Sequence, residues 1–541
     1  MVQSKPLRPE WLPAVALSSA LALLMLLWSP PVGDLAAQVF RTELFQRAGL
    51  AIWNGSWYGG HYTLTYSVLF PPLAALLGPQ VVGMLAVVSS SYLFDRLVRD
   101  RWGTEARWAT LWFAAGVVTL LADGQLTFAL GVAFGLAALR CLQLGRAPLA
   151  IAAAAACPLA SPVAGAFLAG VVLVGAVEPG RRPNPAALAA GGLALFLTVA
   201  PNLAFPEAGH FPFVFSSYVA IPLWCAGALA LTQGVRREER QLRRVLIGYL
   251  LVSTLIWITP NAMGGNAVRL GALFGGPLLA AVLLSRRPRP AVPAWLFVPL
   301  LALAIAGSLY WQLTASVTQI ARSVGDPSTA SAYFEPPARW LRAHGGPGAR
   351  IEVPPTANHW ESAYLAPKFE LARGWLRQLD TTRDDLFYDK GLTAAGYGAW
   401  LRANAISFVA LPDAPLDYSS QAERRLVLHD PSYLTLRFRS EHWRIYEVRD
   451  PKPLVAPLGG AAAETRWIGR QGFALDVERP GEFLVRVAFT PYWSISHGAG
   501  CILRRGDWTV ARAERPGIFR VDADFSVGRA WNAVTGARKT C

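Results

Sequence analysis

The feature that most constrains this chain is a change of texture near Gln312. From Trp11 to Trp311 apolar runs follow one another, broken by Arg and Pro; from Leu313 to Cys541 aromatic, charged and turn residues mix, and no run is long enough to cross a bilayer. A hydrocarbon core of ~30 Å takes about 20 apolar residues per helix. The first part therefore reads as a polytopic α-helical membrane domain and the second as a large soluble one. At 53% hydrophobic and 16% charged, the average suits a chain divided in this way. The expected organisation is a membrane domain over 1–311, a linker over 312–333, an α/β domain over 334–433 and a β-sandwich over 434–541.

A net charge of +15 would suggest nucleic acid as a partner in a soluble chain. Here much of the basic excess of the first half lies in short connections between apolar runs, which is the signature of membrane topology. About eleven spans are expected, at 11–29, 80–98, 106–122, 125–143, a short pair at 148–160 and 163–177, then 185–204, 212–232, 244–260, 267–284 and 291–311. Alternate connections hold Arg96, Arg99, Arg101 and Arg107, then Arg140 and Arg146, Arg181 and Arg182, the run Arg236 to Arg244, and Arg286 to Arg289. Positive loops stay in the cytoplasm. The N-terminus is thus expected inside and everything after Trp311 outside, in a multi-pass protein of a bacterial plasma membrane, the source being suggested by the Arg-, Ala- and Gly-rich composition. All seven histidines fall on the outer side of this topology. Trp11–Trp28 is followed by Ser29-Pro30-Pro31-Val32 rather than a small-x-small cleavage site, and reads as a retained helix.

Cys141, Cys157 and Cys225 fall in apolar spans, where a thiol behaves as a small hydrophobe. Cys501 and Cys541 fall in the soluble half; in an oxidising compartment they either close a disulfide or stay as two separate thiols.

The first outer connection is the longest of the membrane half. Asp34 follows Pro31-Val32-Gly33, and residues 35–50 place Phe40, Leu44 and Ala48 on one stripe of an amphipathic helix suited to the interface. Trp53, Trp57 and Tyr58 then suit headgroup depth. Asp34 has two readings, a helix N-cap or a reactive carboxylate held at the membrane surface.

This arrangement resembles the GT-C glycosyltransferase superfamily, polytopic enzymes that use polyprenyl-phosphate sugars on the outer membrane face. The resemblance rests on Asp34 just past the first helix, Arg41 and Arg47 on the helix after it, the Trp57-Tyr58-Gly59-Gly60 stretch, and Tyr66-Ser67-Val68-Leu69-Phe70-Pro71-Pro72-Leu73, which is similar to the family's YPPL segment. It covers residues 1–311 with a trailing outer domain. In the next outer connection Asp123-Gly124-Gln125 matches the place where family members hold an acidic residue and a Gly-Gln. The sequence departs from the metal-dependent members, having Asp123 alone where they have a paired acid motif. The resemblance thus implies Mg or Mn only as an optional divalent ion. Asp123 and Gln125 also suit helix capping and packing.

What the resemblance implies is transfer of a sugar from a polyprenyl-phosphate lipid to a glycan or lipid acceptor of the cell envelope. Such transfer needs a base for the acceptor hydroxyl and a cation for the departing phosphate. Asp34 takes the first role, with Asp123 as second catalytic carboxylate. Arg269, at the outer mouth of an apolar span, suits the phosphate by its planar fork, or else snorkels to the interface. His61, Gln125, His359 and Glu361 are candidates for lining the acceptor site, the two last belonging with Asp380 either to a groove or to an internal hydrogen-bond network. Trp360, Trp375, Tyr492 and Trp493 are candidate glycan-binding aromatics or core residues. No P-loop, Rossmann fingerprint, zinc cluster or nucleophile elbow is present. The competing readings are a transporter or flippase of envelope lipids and a non-catalytic assembly scaffold.

Overall fold

The computed structural model describes residues 11–176, 182–207, 209–232, 237–285, 292–346, 348–388, 391–429 and 431–536. The chain divides into two units: residues 1–38, 66–199 and 210–321 form the first, and residues 39–65, 200–209 and 322–541 the second. The sequence boundary near Gln312 therefore marks most of the division, but two short segments of the apolar half belong with the second unit.

The first unit is helical. Among the described residues six helices are long and apolar enough to cross a membrane, from Pro79–Trp102 to Trp295–Ser323. They become seven if Leu12–Trp28 and Gly33–Ala48, bent by 78° at Ser29–Val32, count as one span, and Ala147–Ala160, Pro162–Ala176 and Phe215–Leu231 are shorter apolar helices. By length and composition, six or seven of the about eleven expected spans are met among the described residues. The run 106–122 breaks into Arg107–Gly116 and Thr119–Ala122, and the paired run near 148–177 forms two helices too short to cross on their own. Hydropathy reports apolar runs; length and breaks decide what spans.

Packing uses close approach where side chains are missing. A Cβ at Gly131 would lie 2.6 Å from that of Ala164, and one at Gly276 would lie 2.4 Å from the Trp112 ring, the small-residue contact that brings apolar helices together. Phe94 stacks on Phe113 at 4.0 Å, with Phe274 5.3 Å from Phe113. The fully buried Asp95 is compensated by Arg99 one turn later at 2.7 Å. Cys157 and Cys225 are buried free thiols, as expected of small hydrophobes.

The second unit contains a mixed five-stranded sheet and a two-sheet β-sandwich. The mixed sheet runs in the order Glu370–Leu371, Arg350–Glu352, Ile406–Pro412, Trp443–Val448, Leu434–Arg439. Its first three strands are parallel and the last two antiparallel. Strands Leu434–Arg439 and Trp443–Val448 were expected to open the sandwich; they complete the α/β sheet instead, and the sandwich begins at Val455. Alternation of apolar and polar residues specifies a strand, but the partner sheet is decided by register. The sandwich stacks Trp493–His497, Gly517–Ala523, Gly472–Arg479 and Ala462–Gly469 against Gly500–Arg505, Trp508–Ala513, Gly481–Ala488 and Val455–Leu458. Its core holds Phe473, Phe483, Trp493, Phe519 and Val521. The expected linker over 312–333 is largely helix: Ala294–Ser323 continues well past Trp311, and Ser331–His344 begins eight residues after it ends.

Segment 39–65 is a structural part of the second unit. Trp53, Trp57 and Tyr58, expected at headgroup depth, are 2%, 0% and 5% exposed. Trp53 and Tyr62 join the sandwich core, Leu371 N–H donates to Ser56 O, and Ala488 N–H donates to Gly59 O. Gly60, at φ +125°, leaves the room that the Trp53 ring fills. A Trp suited to a wet interface and one suited to a core have the same composition, so sequence alone does not separate them. Cys501 is disulfide-bonded; its expected partner Cys541 lies outside the described residues.

Candidate functional site

Of the residues singled out from the sequence, Asp34, Asp123, Gln125 and Arg269 fall in the first unit, and His61, His359 and Glu361 in the second. The first group is built by chain breaks. Helix Leu12–Trp28 stops at Ser29, which is left-handed at φ 47°, and Pro30-Pro31 prevents its continuation. The chain turns into Gly33–Ala48 with Asp34 in the first turn, where the helix dipole favours a negative charge.

Facing it, Thr119–Ala122 ends at Asp123, and Gly124 takes φ +72°. A Cβ at Gly124 would lie 2.5 Å from Leu35 N and 3.1 Å from the carbonyl carbon of Asp34. Glycine is therefore needed twice here, for the left-handed turn and for the close approach, and the outcome is that Asp123 stands beside the Asp34 turn. The next helix, Leu126–Gln143, is N-capped by Gln125 without a side-chain capping bond. Asp123 thus does not serve as the N-cap weighed for it from the sequence.

Arg269 lies in the first turn of Val268–Ser285, a position where the helix dipole disfavours a cation. Helix stability therefore does not account for it. Its guanidinium lies over the Phe128 ring at 5.4 Å.

The electrostatics tie the three together. Burial pushes the Asp123 carboxyl up to about 6; the Ser316 hydroxyl and the Arg269 cation hold it down, and the Asp34 charge pushes it further up. The Ser316 contact is weak, since neither Ser316 Oγ nor Asp123 Oδ1 completes a hydrogen bond. Asp123 is 8% exposed whereas Asp34 is half-buried. Asp123 therefore lies in the field of both the Asp34 carboxylate and the Arg269 guanidinium: Asp34 is the more exposed of the two acids, Asp123 keeps its proton below about 6, and the cation suits an anionic oxygen.

Ser316 was not singled out from the sequence, because the apolar pattern ends at Trp311 while the helix continues to Ser323. Among the described residues no group of three or more His, Cys, Asp or Glu is arranged to hold a metal ion. Mg²⁺ and Mn²⁺ take carboxylate oxygens, and Mg²⁺ is commonly held by one or two of them together with substrate phosphate, so Asp34 and Asp123 would be its protein ligands here.

The second group is enclosed. His61 is 3% exposed and stacks on Trp57 at 5.3 Å. Burial, then the Arg41 and Arg383 cations, push its imidazole down to about 3, so it is neutral at physiological pH. Nearby in the same unit, Glu207 takes the Tyr62 N–H at 3.3 Å and lies 3.5 Å from Arg383. Burial raises Glu207 to about 7, against the pull of Arg383.

His359 and Glu361, each 3% exposed, are placed as members of the internal network rather than of an open groove. His359, at φ +56°, stacks on Trp375 at 3.5 Å. Its Nδ1 lies 3.4 Å from Glu361 and its Nε2 3.6 Å from Asp417. Arg377 donates to both Asp417 oxygens at 3.0 and 2.8 Å. Burial alone raises Asp417, but His359 and Arg377 hold it far below the usual carboxylate range.

From Arg377 the network passes through Tyr388, whose hydroxyl donates to Asp380 at 2.5 Å. Asp380 in turn takes two bonds from Arg373 at 3.0 and 2.7 Å. Arg373 also reaches Glu423 at 3.4 Å and Glu352 at 4.0 Å. Glu352, Asp384 and Glu423 are raised by burial and by neighbouring carboxylates, with Arg373 opposing. The aromatic candidates Trp360, Tyr492 and Trp493 are buried at 5%, 0% and 0%. They serve as core, with no open face for a sugar ring.

No protein-family model matches this sequence, and none of the curated proteins matches it.

Proposed function

We propose that the chain is an integral membrane glycosyltransferase of the GT-C type, moving a sugar from a polyprenyl-phosphate donor to a glycan or lipid acceptor of the cell envelope. The single observation that carries the reading is the meeting of Asp34, Asp123 and Arg269 in the helical unit, on three chain breaks distant in sequence. In this reading the N-terminus is cytoplasmic, the trio and the second unit are extracytoplasmic, and the membrane is bacterial. Asp34 takes the proton of the acceptor hydroxyl as its oxygen attacks the anomeric carbon. The bond from that carbon to the phosphate oxygen breaks, and the lipid phosphate leaves toward Arg269. Asp123, enclosed and adjacent, keeps Asp34 oriented toward the acceptor.

The experiment is transfer by the reconstituted full chain from a panel of polyprenyl-phosphate sugars, comparing native protein with Asp34→Asn. Removing the proton acceptor is expected to reduce transfer by roughly 10²–10⁴-fold. Asp34 lies inside the first turn, where Asn forgoes only about 0.3–1 kcal/mol of interaction with the helix dipole, so the fold is expected to hold. Full transfer by a folded Asp34→Asn variant removes the residue from the chemistry. Native protein inert with every donor favours the transporter or scaffold readings.

A further inference from the structure

The C-terminal helix Val527–Val534 is the most amphipathic in the second unit, and it is so in an unusual sense. At 100° per residue, Ala530 and Ala533 share one side, and both pack into the sandwich core. Arg529 is held by Asp524 at 2.9 Å and by Ser494 at 2.7 Å. The adjoining side presents Val527, Trp531 and Val534, which are 81%, 67% and 53% exposed, with Phe525 just before the helix 52% exposed. Solvent-facing positions of a soluble helix are ordinarily polar, so four neighbouring large apolar groups left open mark a contact surface.

What adjoins this surface within the same unit is the end of an apolar helix. Pro185–Ala204 is long and apolar enough to cross a membrane, and its last turn, from Ala200, belongs to the second unit. There the Tyr492 hydroxyl donates to Ala204 O at 2.7 Å, Phe205 stacks on Tyr492 at 5.1 Å, and Tyr492 stacks on Phe525 at 6.0 Å. Phe205 and Phe525 lie 6.3 Å apart, and Leu203 is 56% exposed. The end of a spanning helix lies at the headgroup boundary, where Trp and Tyr concentrate. An apolar surface continuous with that end therefore lies at the same depth.

We propose that the Phe525–Val534 face is a lipid-contacting surface, seated in the interfacial layer of the bilayer that the chain's own helices cross, with Trp531 as its deepest anchor. The bilayer is favoured over a protein partner because the surface runs into the end of a span, so that the lipid which covers Leu203 also reaches Phe525. The proposal rests on the membrane reading of Pro185–Ala204 and is independent of the glycosyl-transfer chemistry.

The test places an environment-sensitive fluorophore on the full chain in phosphatidylethanolamine–phosphatidylglycerol nanodiscs, through Trp531→Cys, Leu203→Cys or Glu441→Cys. Signal from native thiols is subtracted using unsubstituted protein. Glu441, whose side chain is 88% exposed, reports water. The expected result is quenching at positions 531 and 203 by lipids carrying a doxyl group high on the acyl chain, with little quenching by aqueous iodide, and the reverse at 441. Lipid quenching at 203 together with iodide quenching at 531 overturns the inference and leaves the membrane reading standing. Iodide access at both 203 and 531 overturns the premise as well. Protection at 531 from both quenchers means that protein covers the face, either a second copy or the chain's own C-terminal residues, and overturns lipid contact.

Discussion

The carboxylates of the helical unit and those of the second unit are held in opposite ways. Around Arg373, the buried Glu352, Asp380 and Glu423 surround one guanidinium, with Asp384 hydrogen-bonded to Trp400 at 2.9 Å. Each is enclosed, and the unit meets the cost of desolvation with paired charge, hydrogen bonds and retained protons. Around Arg269, by contrast, one carboxylate is enclosed and the other half-open, the hydroxyl nearest the enclosed one does not complete a bond, and the guanidinium rests on a ring. Both clusters keep buried oxygens outside hydrogen bonds, Glu352 Oε1 and Oε2 and Asp384 Oδ2 in the one and Asp123 Oδ1 in the other; what differs is exposure, since only the Arg269 cluster includes a carboxylate that solvent, and so something else, reaches. The number of acids therefore says less than their access to solvent, and the denser, fully enclosed cluster is the less promising one for catalysis.

The change that strains this contrast most is Arg373→Met. It leaves buried acids without their cation, and the second unit is expected to lose about 3–5 kcal/mol, read as a lower midpoint in thermal or denaturant unfolding of the full chain. An unchanged midpoint would mean that the acids are already neutral and that the network is not held by charge.

The next effect is in pH. Glu207 has a folded-state pKa of about 7 against an ordinary value of 4.5, so between those values the folded unit retains a proton that the unfolded chain has released. Its contribution is then fully present below about 4.5 and is lost as pH rises toward 7, by on the order of 1–3 kcal/mol. Glu207→Gln is expected to flatten that part of the stability profile. His61 acts with the opposite sign: its lowered pKa makes stability fall as pH drops from 6.5 toward about 3. The contributions of Glu352, Asp384 and Glu423 decline in the same window, so it is a Glu207→Gln profile as steep as the native one that would place the proton elsewhere.

In the helical unit pH is expected to act on rate rather than stability. On the glycosyl-transfer reading, Asp123 is protonated and uncharged below about 6, so Asp123→Asn is expected to leave the acidic limb of the transfer profile in place and to change transfer only above that pH. A displaced limb would mean that Asp123 is itself the titrating base. The smallest effect is that of Phe128→Leu, which removes the ring under Arg269. A cation–π contact contributes about 0.5–1 kcal/mol, so a two- to fivefold rise in KM for the donor is expected with kcat nearly unchanged. A fall in kcat instead would assign the ring to the transition state.

The legibility of these features from sequence follows their range. Asp34 and Asp123 stood out because chain breaks are local: Ser29-Pro30-Pro31 and Asp123-Gly124 announce themselves within a few residues. Arg269 stood out because a charge beside an apolar run is conspicuous. Ser316 did not, since a serine on a helix beyond the last apolar run carries no pattern, and only helix packing brings it to Asp123. His359 and Glu361 were visible as a polar cluster, but whether that cluster faces a groove or a core depends on Arg373 and Arg377 further along the chain and on Asp417 and Glu423 beyond them.

What the sequence by itself determined is the division into an apolar helical part and a mixed α/β and β part, because hydropathy and alternation are properties of neighbours along the chain. Within the second part the pattern reads as a helix over Phe334–His344 and a strand over Phe408–Leu411, which the structure extends to Ser331–His344 and Ile406–Pro412. Tertiary structure alone decided that segment 39–65 is core of the second unit, that Leu434–Val448 closes the α/β sheet, and that Asp34, Asp123 and Arg269 share one field. The physical reason is that burial and electrostatic coupling depend on distance in space, and three residues separated by 89 and 146 positions acquire that distance only when the helices pack.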